Sequence, residues 1–93
     1  MEQFGDDAEV VDEIYAEYVS SVHAKMSEAD AALAAGEWEA LDKVAHTVKG
    51  NSLAAGDQQM ADTAIALRNA AKLQERDQAG QIIANIKALA EQL

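Results

Sequence analysis

The chain has no cysteine, no proline and few aromatic residues. Without cysteine, its 93 residues hold neither a disulfide framework nor a thiolate metal site, which fits a reducing compartment and makes the cytoplasm the expected location. No apolar run approaches the roughly 20 residues needed to cross a bilayer, and the acidic amino terminus lacks the features of a signal peptide. We therefore expect one small soluble domain over residues 1–93.

Basic residues are also scarce. Seven of them stand against 17 acidic residues, so the formal net charge is −10. This charge repels the phosphate backbone of nucleic acids and anionic membrane surfaces, so the expected partners are proteins. Abundant alanine together with the missing prolines favours helix over strand, which predicts an all-α domain.

The first helical pattern is the longest. Apolar residues recur at three- and four-residue steps over residues 11–33, and Gly36 ends the pattern. Asp6 or Asp7 is the predicted amino-terminal cap. A helix from there to Gly36 spans roughly 40 Å, so we expect one long element and leave open a kink or break near Ser20–Ser21.

Three shorter patterns follow. Gly56 is placed to cap the carboxyl end of the second helix, Asp57 to start the third, and Asp77 to cap the fourth. Four amphipathic helices with short connections predict an up-and-down antiparallel four-helix bundle. The apolar positions are Trp38, Leu41, Ala45 and Val48 in the second pattern, Met60, Ala64, Leu67 and Ala71 in the third, and Ile82, Ile86, Leu89 and Leu93 in the fourth.

A histidine and a glycine stand one turn apart in the second helix. Gly50 costs about 1 kcal/mol relative to alanine in a helix interior, which suggests that something large must approach His46. On a helical wheel, His46 points about 120° away from the core direction, so it should be accessible to solvent. The same outward arc carries Glu39, Asp42, Lys49, Gly50 and Leu53.

This arrangement suits phosphoryl transfer. Neutral imidazole is a nucleophile and is well populated at cytosolic pH. Lys49 lies three residues after His46 and projects an ammonium group over the same surface, where it offsets the charge of a phosphoryl group. The missing side chain at Gly50 leaves the approach open to another protein's active site.

Residues 45–52, Ala-His-Thr-Val-Lys-Gly-Asn-Ser, followed by Gly56, resemble the signature of the histidine-containing phosphotransfer (HPt) family. The acidic opening at residues 5–7, the Ala-Ala-Gly-Glu-Trp turn at residues 34–38 and the spacing of the last two helices are also similar. The resemblance covers nearly the whole chain.

The resemblance implies a phosphorelay intermediate. His46 is then the phosphoacceptor, on the imidazole nitrogen farther from the backbone in most members, and Lys49 and Gly50 match the family's basic residue and its small residue. Arg68 occupies a position where relatives often place a polar side chain that faces the histidine. We expect Arg68, Gly50, Leu53 and the carboxylates of Glu39 and Asp42 to contact the partner.

The implied partners are response-regulator receiver domains, a hybrid histidine kinase, or both. The chain has no glycine-rich phosphate loop, so we expect a phosphocarrier without an ATP site rather than an enzyme. It needs no cofactor of its own, because the divalent ion is expected in the partner's acidic pocket. The identity of donor and acceptor and the direction of flow stay open.

Two other functions remain to be weighed. Asn51-Ser52-Leu53 superficially resembles the Asp-Ser-Leu site of acyl carrier proteins, but the wheel buries Ser52. An adaptor bundle that binds receivers without transfer is the second alternative. A metal site in the core is disfavoured, because His23 has no glutamate at the required spacing.

The sequence gives weaker indications of the oligomeric state and of whether the chain is a free-standing protein or a domain of a larger one. The apolar stripes are all needed inside the bundle, so a monomer is expected. The opening methionine and the compact last helix favour a free-standing protein over an excised domain.

Overall fold

A computed structural model of the protein describes residues 2–92, including the side chains of residues 16–92. Four helices and no strand are found in this part of the chain. None of the helices described is both long and apolar enough to span a membrane. The helices are α1 (Glu2–Ala35), α2 (Trp38–Ala55), α3 (Gln58–Lys72) and α4 (Arg76–Gln92).

The helices form a closed ring in which each contacts two neighbours. The contacts pair α1 with α2, α2 with α3, α3 with α4, and α4 with α1. The two- and three-residue connections force successive helices to run antiparallel, as predicted for an up-and-down bundle. The molecule measures 53 × 20 × 19 Å, and its long dimension matches the roughly 51 Å expected for the 34 residues of α1.

The first helix is one continuous element. It starts at Glu2 and runs through Asp6 and Asp7, so the prediction that one of these caps it was wrong. The break left open near Ser20–Ser21 does not occur, and the prediction of one long element is confirmed. Gly36 ends the helix with a φ of +71°, a left-handed conformation that glycine adopts without steric cost.

The next two boundaries agree with the sequence. Gly56 has a φ of +77° and its N–H donates to the Leu53 carbonyl, which closes the end of α2. The Asp57 carboxylate accepts a hydrogen bond from the Met60 N–H and so caps α3. Both predicted caps are confirmed.

The start of α4 differs from the prediction. Asp77 lies inside the first turn, and the predicted cap at this residue was wrong. The Glu75 N–H still bonds back to the Ala70 carbonyl of α3, while the Glu75 carbonyl accepts from the Ala79 N–H. Glu75 therefore occupies the cap position, and Asp77 is placed where a carboxylate favours the positive end of the helix dipole.

The predicted apolar stripes form the core. The second and third patterns are buried except for Trp38, which is half-buried against the core. In α4, Ile82 and Ile86 are buried and Leu89 is half-buried, whereas Leu93 lies outside the described residues. The large side chains that are almost fully enclosed are Met26, Leu41, Met60, Leu67, Ile83 and Ile86.

Candidate functional site

His46 stands on the outer surface of α2. Residues on either side of it in the helix, Ala45 and Val48, are completely buried, whereas His46 itself is exposed. The 100° step between successive residues places the ring away from the core once Ala45 and Val48 face inward. The predicted accessibility of this histidine is confirmed.

A side chain from α3 reaches the imidazole ring. Arg68 Nη1 lies 3.2 Å from His46 Nδ1, and Arg68 Nε donates to Asp42 Oδ1 at 3.0 Å. Asp42 precedes His46 by four residues, so it shares its face of α2. One guanidinium thus bridges a carboxylate and the histidine between two helices.

These three residues were all predicted from the sequence, and the family resemblance connected Arg68 with His46 but not with Asp42. Asp42 and Arg68 were predicted as surface that contacts a partner, but in the structure each is partly buried and bonded to the other. The spacing of Asp42 and His46 within α2 was a usable signal for their shared face. Spacing gives no such signal for Arg68, because its position depends on how α3 packs against α2; only the family resemblance indicated that it faces the histidine.

A shallow depression lies beside the ring. It measures about 410 Å³ and is lined by Asp42, Lys43, His46, Thr47 and Arg68. Lys43 was not among the predicted site residues, although its three-residue spacing from His46 could have indicated it. The depression is open to solvent, and its lining carries two cations, Lys43 and Arg68, against the one carboxylate of Asp42, a balance that favours an anionic group.

Past His46 along α2, the surface is open. Gly50 is exposed, and a Cβ atom built on it would meet no neighbouring atom within 4 Å. Lys49 is partly exposed and lies one turn from His46. Leu53 is 49% exposed, which leaves an apolar side chain on the same side of the helix.

Glu39 is separated from this group. It is exposed near the start of α2, where it lines a different depression with Trp38, Asp42 and Lys72. Of the predicted site residues, the structure therefore brings Asp42, His46 and Arg68 into contact, places Lys49, Gly50 and Leu53 along α2 beyond the ring, and leaves Glu39 at the edge.

Ser52 is not available to carry a prosthetic arm. It is fully buried, and its Oγ lies 3.0 Å from the hydroxyl of Tyr18. The prediction that Ser52 faces the core is confirmed, and with it the mismatch to an acyl carrier site. His23 is exposed on α1. Among the side chains that the structure describes, no group of three or more histidine or acidic residues is arranged to hold a metal ion.

Comparison with known proteins gives one match. A family model described as "Hpt domain" matches residues 13–93, which include most of α1, the other three helices up to their ends and the whole of the site. No curated protein and no solved structure matches the chain.

Proposed function

Because the chain belongs to the Hpt domain family, we propose that His46 is the residue that carries a phosphoryl group between two partner proteins. Members of this family act in histidine phosphotransfer within two-component phosphorelays. Beyond this general role, we propose which residue accepts the phosphoryl group, what its neighbours do and which class of protein is the partner.

The exposure of His46 supports this assignment most directly. Its Nδ1 is occupied by Arg68, so Nε2 is the nitrogen directed away from that contact and toward solvent. A receiver domain carries its phosphoryl group on an aspartate inside an acidic pocket. Only a ring that projects from a convex helix surface can enter such a pocket, and the open surface at Gly50 removes the nearest obstruction.

From the bundle itself, the reaction needs only the imidazole of His46 as the nucleophile. In the tautomer that carries its proton on Nδ1, the lone pair of Nε2 forms the N–P bond while the P–O bond to the donor's aspartate breaks. The bonding electrons stay with the departing carboxylate, and Nδ1 releases its proton to water. The reverse sequence on a second receiver regenerates the imidazole. Positioning and charge stabilisation dominate catalysis of phosphoryl transfer, and the partner's divalent ion would supply much of the latter.

Lys49 offsets the charge that the histidine acquires. A phosphorylated imidazole adds negative charge to a chain that already has a net charge of −10. Lys49 lies one turn away, and its flexible ammonium group can follow the phosphoryl group as a point charge. Lys43 and Arg68 border the same depression and add to this local positive potential.

The partners proposed are response-regulator receiver domains, with or without a hybrid histidine kinase. They would dock over Gly50 and Leu53 on one side of His46 and over Arg68 on the other. We further propose that the protein acts in the cytoplasm as a monomeric phosphocarrier and that it does not use ATP.

Labelling from a phosphorylated receiver tests the acceptor residue. His46→Gln should take up no label from receivers that carry labelled aspartyl phosphate, because glutamine cannot form the phosphoramidate. His23→Gln is the matched control, since it removes the second exposed histidine and should retain full labelling. The product on the parent protein should be labile in acid and stable in alkali. Continued labelling of His46→Gln, with its helical circular dichroism intact, would refute the assignment.

A further inference from the structure

Arg68 contacts the imidazole nitrogen that the proposed phosphoryl transfer leaves unused. We propose that Arg68 is a positioning residue that holds resting His46 in its Nε2–H tautomer and, after transfer, keeps Nδ1 of the phosphohistidine unprotonated. The second half rests on the proposed function, whereas the first concerns only the unmodified protein. The two halves can therefore fail separately.

The direction of the hydrogen bond follows from the chemistry of the donor. A guanidinium group has five N–H donors and no acceptor, and it stays protonated in proteins. At 3.2 Å from Arg68 Nη1, His46 Nδ1 must therefore accept. In a neutral imidazole the ring proton then resides on Nε2.

The ion pair with Asp42 fixes the guanidinium in this position. Arg68 Nε donates to Asp42 Oδ1 at 3.0 Å, and the two side chains are only 25% and 29% exposed. Two contacts from one rigid, planar group lose less conformational freedom than two separate side chains would. Arg68 can release His46 by turning Nη1 away while its Nε stays on Asp42.

This contact makes the resting ring a poor nucleophile. The lone pair of Nδ1 is engaged by Arg68, and Nε2 carries a hydrogen in the same tautomer. Nε2 can attack only after Nη1 withdraws and the ring proton moves from Nε2 to Nδ1 through water. A partner that docks over Arg68 would favour this change by drawing the guanidinium toward its own acidic pocket.

The same contact protects the loaded state. After transfer, Nε2 holds the phosphoryl group, Nδ1 gives its proton to water, and its lone pair accepts from Arg68 again. Hydrolysis breaks the N–P bond, and imidazole leaves more readily when Nδ1 is protonated. An arginine beside Nδ1 opposes that protonation by charge repulsion and by occupying the lone pair, so it lengthens the lifetime of the phosphohistidine.

Nitrogen-15 NMR of histidine-labelled protein tests the resting state. In alkaline buffer, His46 of the parent should show the Nε2–H tautomer alone, while exposed His23 in the same spectrum supplies the reference ratio for a free ring. Arg68→Met, which has no donor and only a weakly accepting sulfur, should return His46 to about the ratio of His23. Arg68→Leu, a second apolar replacement that removes the guanidinium donors, should give the same ratio as Arg68→Met.

Arg76→Gln is the matched control. It removes an arginine that lies over Trp38 and donates to the Leu33 carbonyl. The net charge therefore changes by the same one unit as in the Arg68 variants, and no contact of His46 is altered. Its tautomer ratio should equal that of the parent. An unchanged His46 ratio in whichever of the two Arg68 variants folds would overturn the inference, and this result is independent of any phosphotransfer.

The lifetime of the phosphohistidine tests the loaded state. Phosphoramidate serves as a chemical donor, so no receiver is needed, and loss of the phosphoryl group is followed after the donor is removed. The loss of one charge-assisted, half-exposed hydrogen bond should accelerate hydrolysis about fivefold in Arg68→Met. Equal lifetimes for Arg68→Met, Arg76→Gln and the parent would contradict the protective role, even if His46 proves to be the acceptor.

Discussion

Gly50 differs from every other residue on the outer face of α2 in presenting only backbone to solvent. Since a Cβ atom there meets nothing within 4 Å, the bundle itself does not require glycine at this position. A helix-interior glycine lowers stability by about 1 kcal/mol relative to alanine. The advantage of the residue must therefore arise when another molecule approaches His46.

Gly50→Gln should separate docking from stability. We expect it to raise the melting temperature by a few degrees, because glutamine is a better helix former, and to slow transfer from a phosphorylated receiver about tenfold by obstructing the approach. Ala84→Gln adds the same side chain at an exposed position of α4, which does not contact α2, and should leave transfer unchanged.

Labelling by phosphoramidate distinguishes an obstructed docking surface from a disturbed His46. This small donor needs no docking surface, so Gly50→Gln should accept phosphoryl groups from it at the parental rate. Equal slowing with both donors would instead indicate that the substitution disturbs His46, and receiver transfer at the parental rate would contradict the access role.

Helical periodicity was sufficient for the residues that α2 alone positions, whereas only the family resemblance indicated that Arg68 on α3 faces His46. The exposure of His46 and the burial of Ser52 follow from one helical period anchored by Leu41. The contact between Arg68 and His46 spans 22 residues and requires a particular rotation of α3 against α2. Periodicity defines the inward face of each helix, but it leaves several degrees of freedom in how neighbouring side chains meet.

At the scale of helices, the sequence predicted number and order correctly, and also the inward faces over the side chains described, residues 16–92, because each stripe repeats at 3.6 residues. Carboxyl ends marked by Gly36 and Gly56 were also correct, since a left-handed residue stops a helix decisively. The predicted amino-terminal caps of α1 and α4 were wrong. Aspartate is favourable both as a cap and within a first turn, as at Asp77, and a long helix tolerates it further in, as at Asp7, so residue type alone does not fix its position.

A buried polar cluster joins α1 to the connection between α2 and α3. The Tyr18 hydroxyl lies 3.0 Å from Ser52 Oγ and 3.0 Å from Asp57 Oδ2, and Asp57 also caps α3. Among the described residues, Ser52 is the only polar side chain that is buried. The cluster ties three helices together at one end of α2 and fixes the level at which α1 packs beside it.

Tyr18→Phe should lower the free energy of unfolding by about 1–2 kcal/mol, because both polar partners lose a hydrogen bond in a site with little water. Chemical denaturation of this variant, of Ser52→Ala and of the double variant measures their coupling. We expect the two single effects to sum to more than the double effect by about 0.5–1 kcal/mol. Strict additivity would show that the hydroxyls do not interact.

At the scale of the whole molecule, positive charge is concentrated where the phosphoryl group is proposed to bind. Three of the seven basic residues, Lys43, Lys49 and Arg68, lie on or beside the face of α2 that carries His46. The rest of the surface is dominated by acidic groups. Field lines from such a distribution orient an incoming protein so that its acidic pocket meets the local cations rather than the acidic surface.

The net charge of −10 also acts on folding itself. Like charges lie closer together in the bundle than in the unfolded chain, so their repulsion destabilises the folded state, and salt screens this repulsion. Three described ion pairs oppose this destabilisation: Lys25–Glu28, Asp42–Arg68 and Asp30–Lys87. Partly exposed pairs, however, stabilise the fold by at most about 1 kcal/mol each. We expect repulsion to dominate, so that raising NaCl from about 10 mM to about 150 mM increases the melting temperature by a few degrees.

Reversing two exposed charges provides the control for that experiment. Glu17→Lys combined with Glu91→Lys changes side chains that are exposed on α1 and α4 and makes the chain less negative. If repulsion is the cause, this variant should melt higher than the parent at low salt and should gain less from added NaCl. A melting temperature that falls with salt in the parent would mean that the ion pairs outweigh the net charge, and an equal gain in both proteins would assign the effect to something other than charge repulsion.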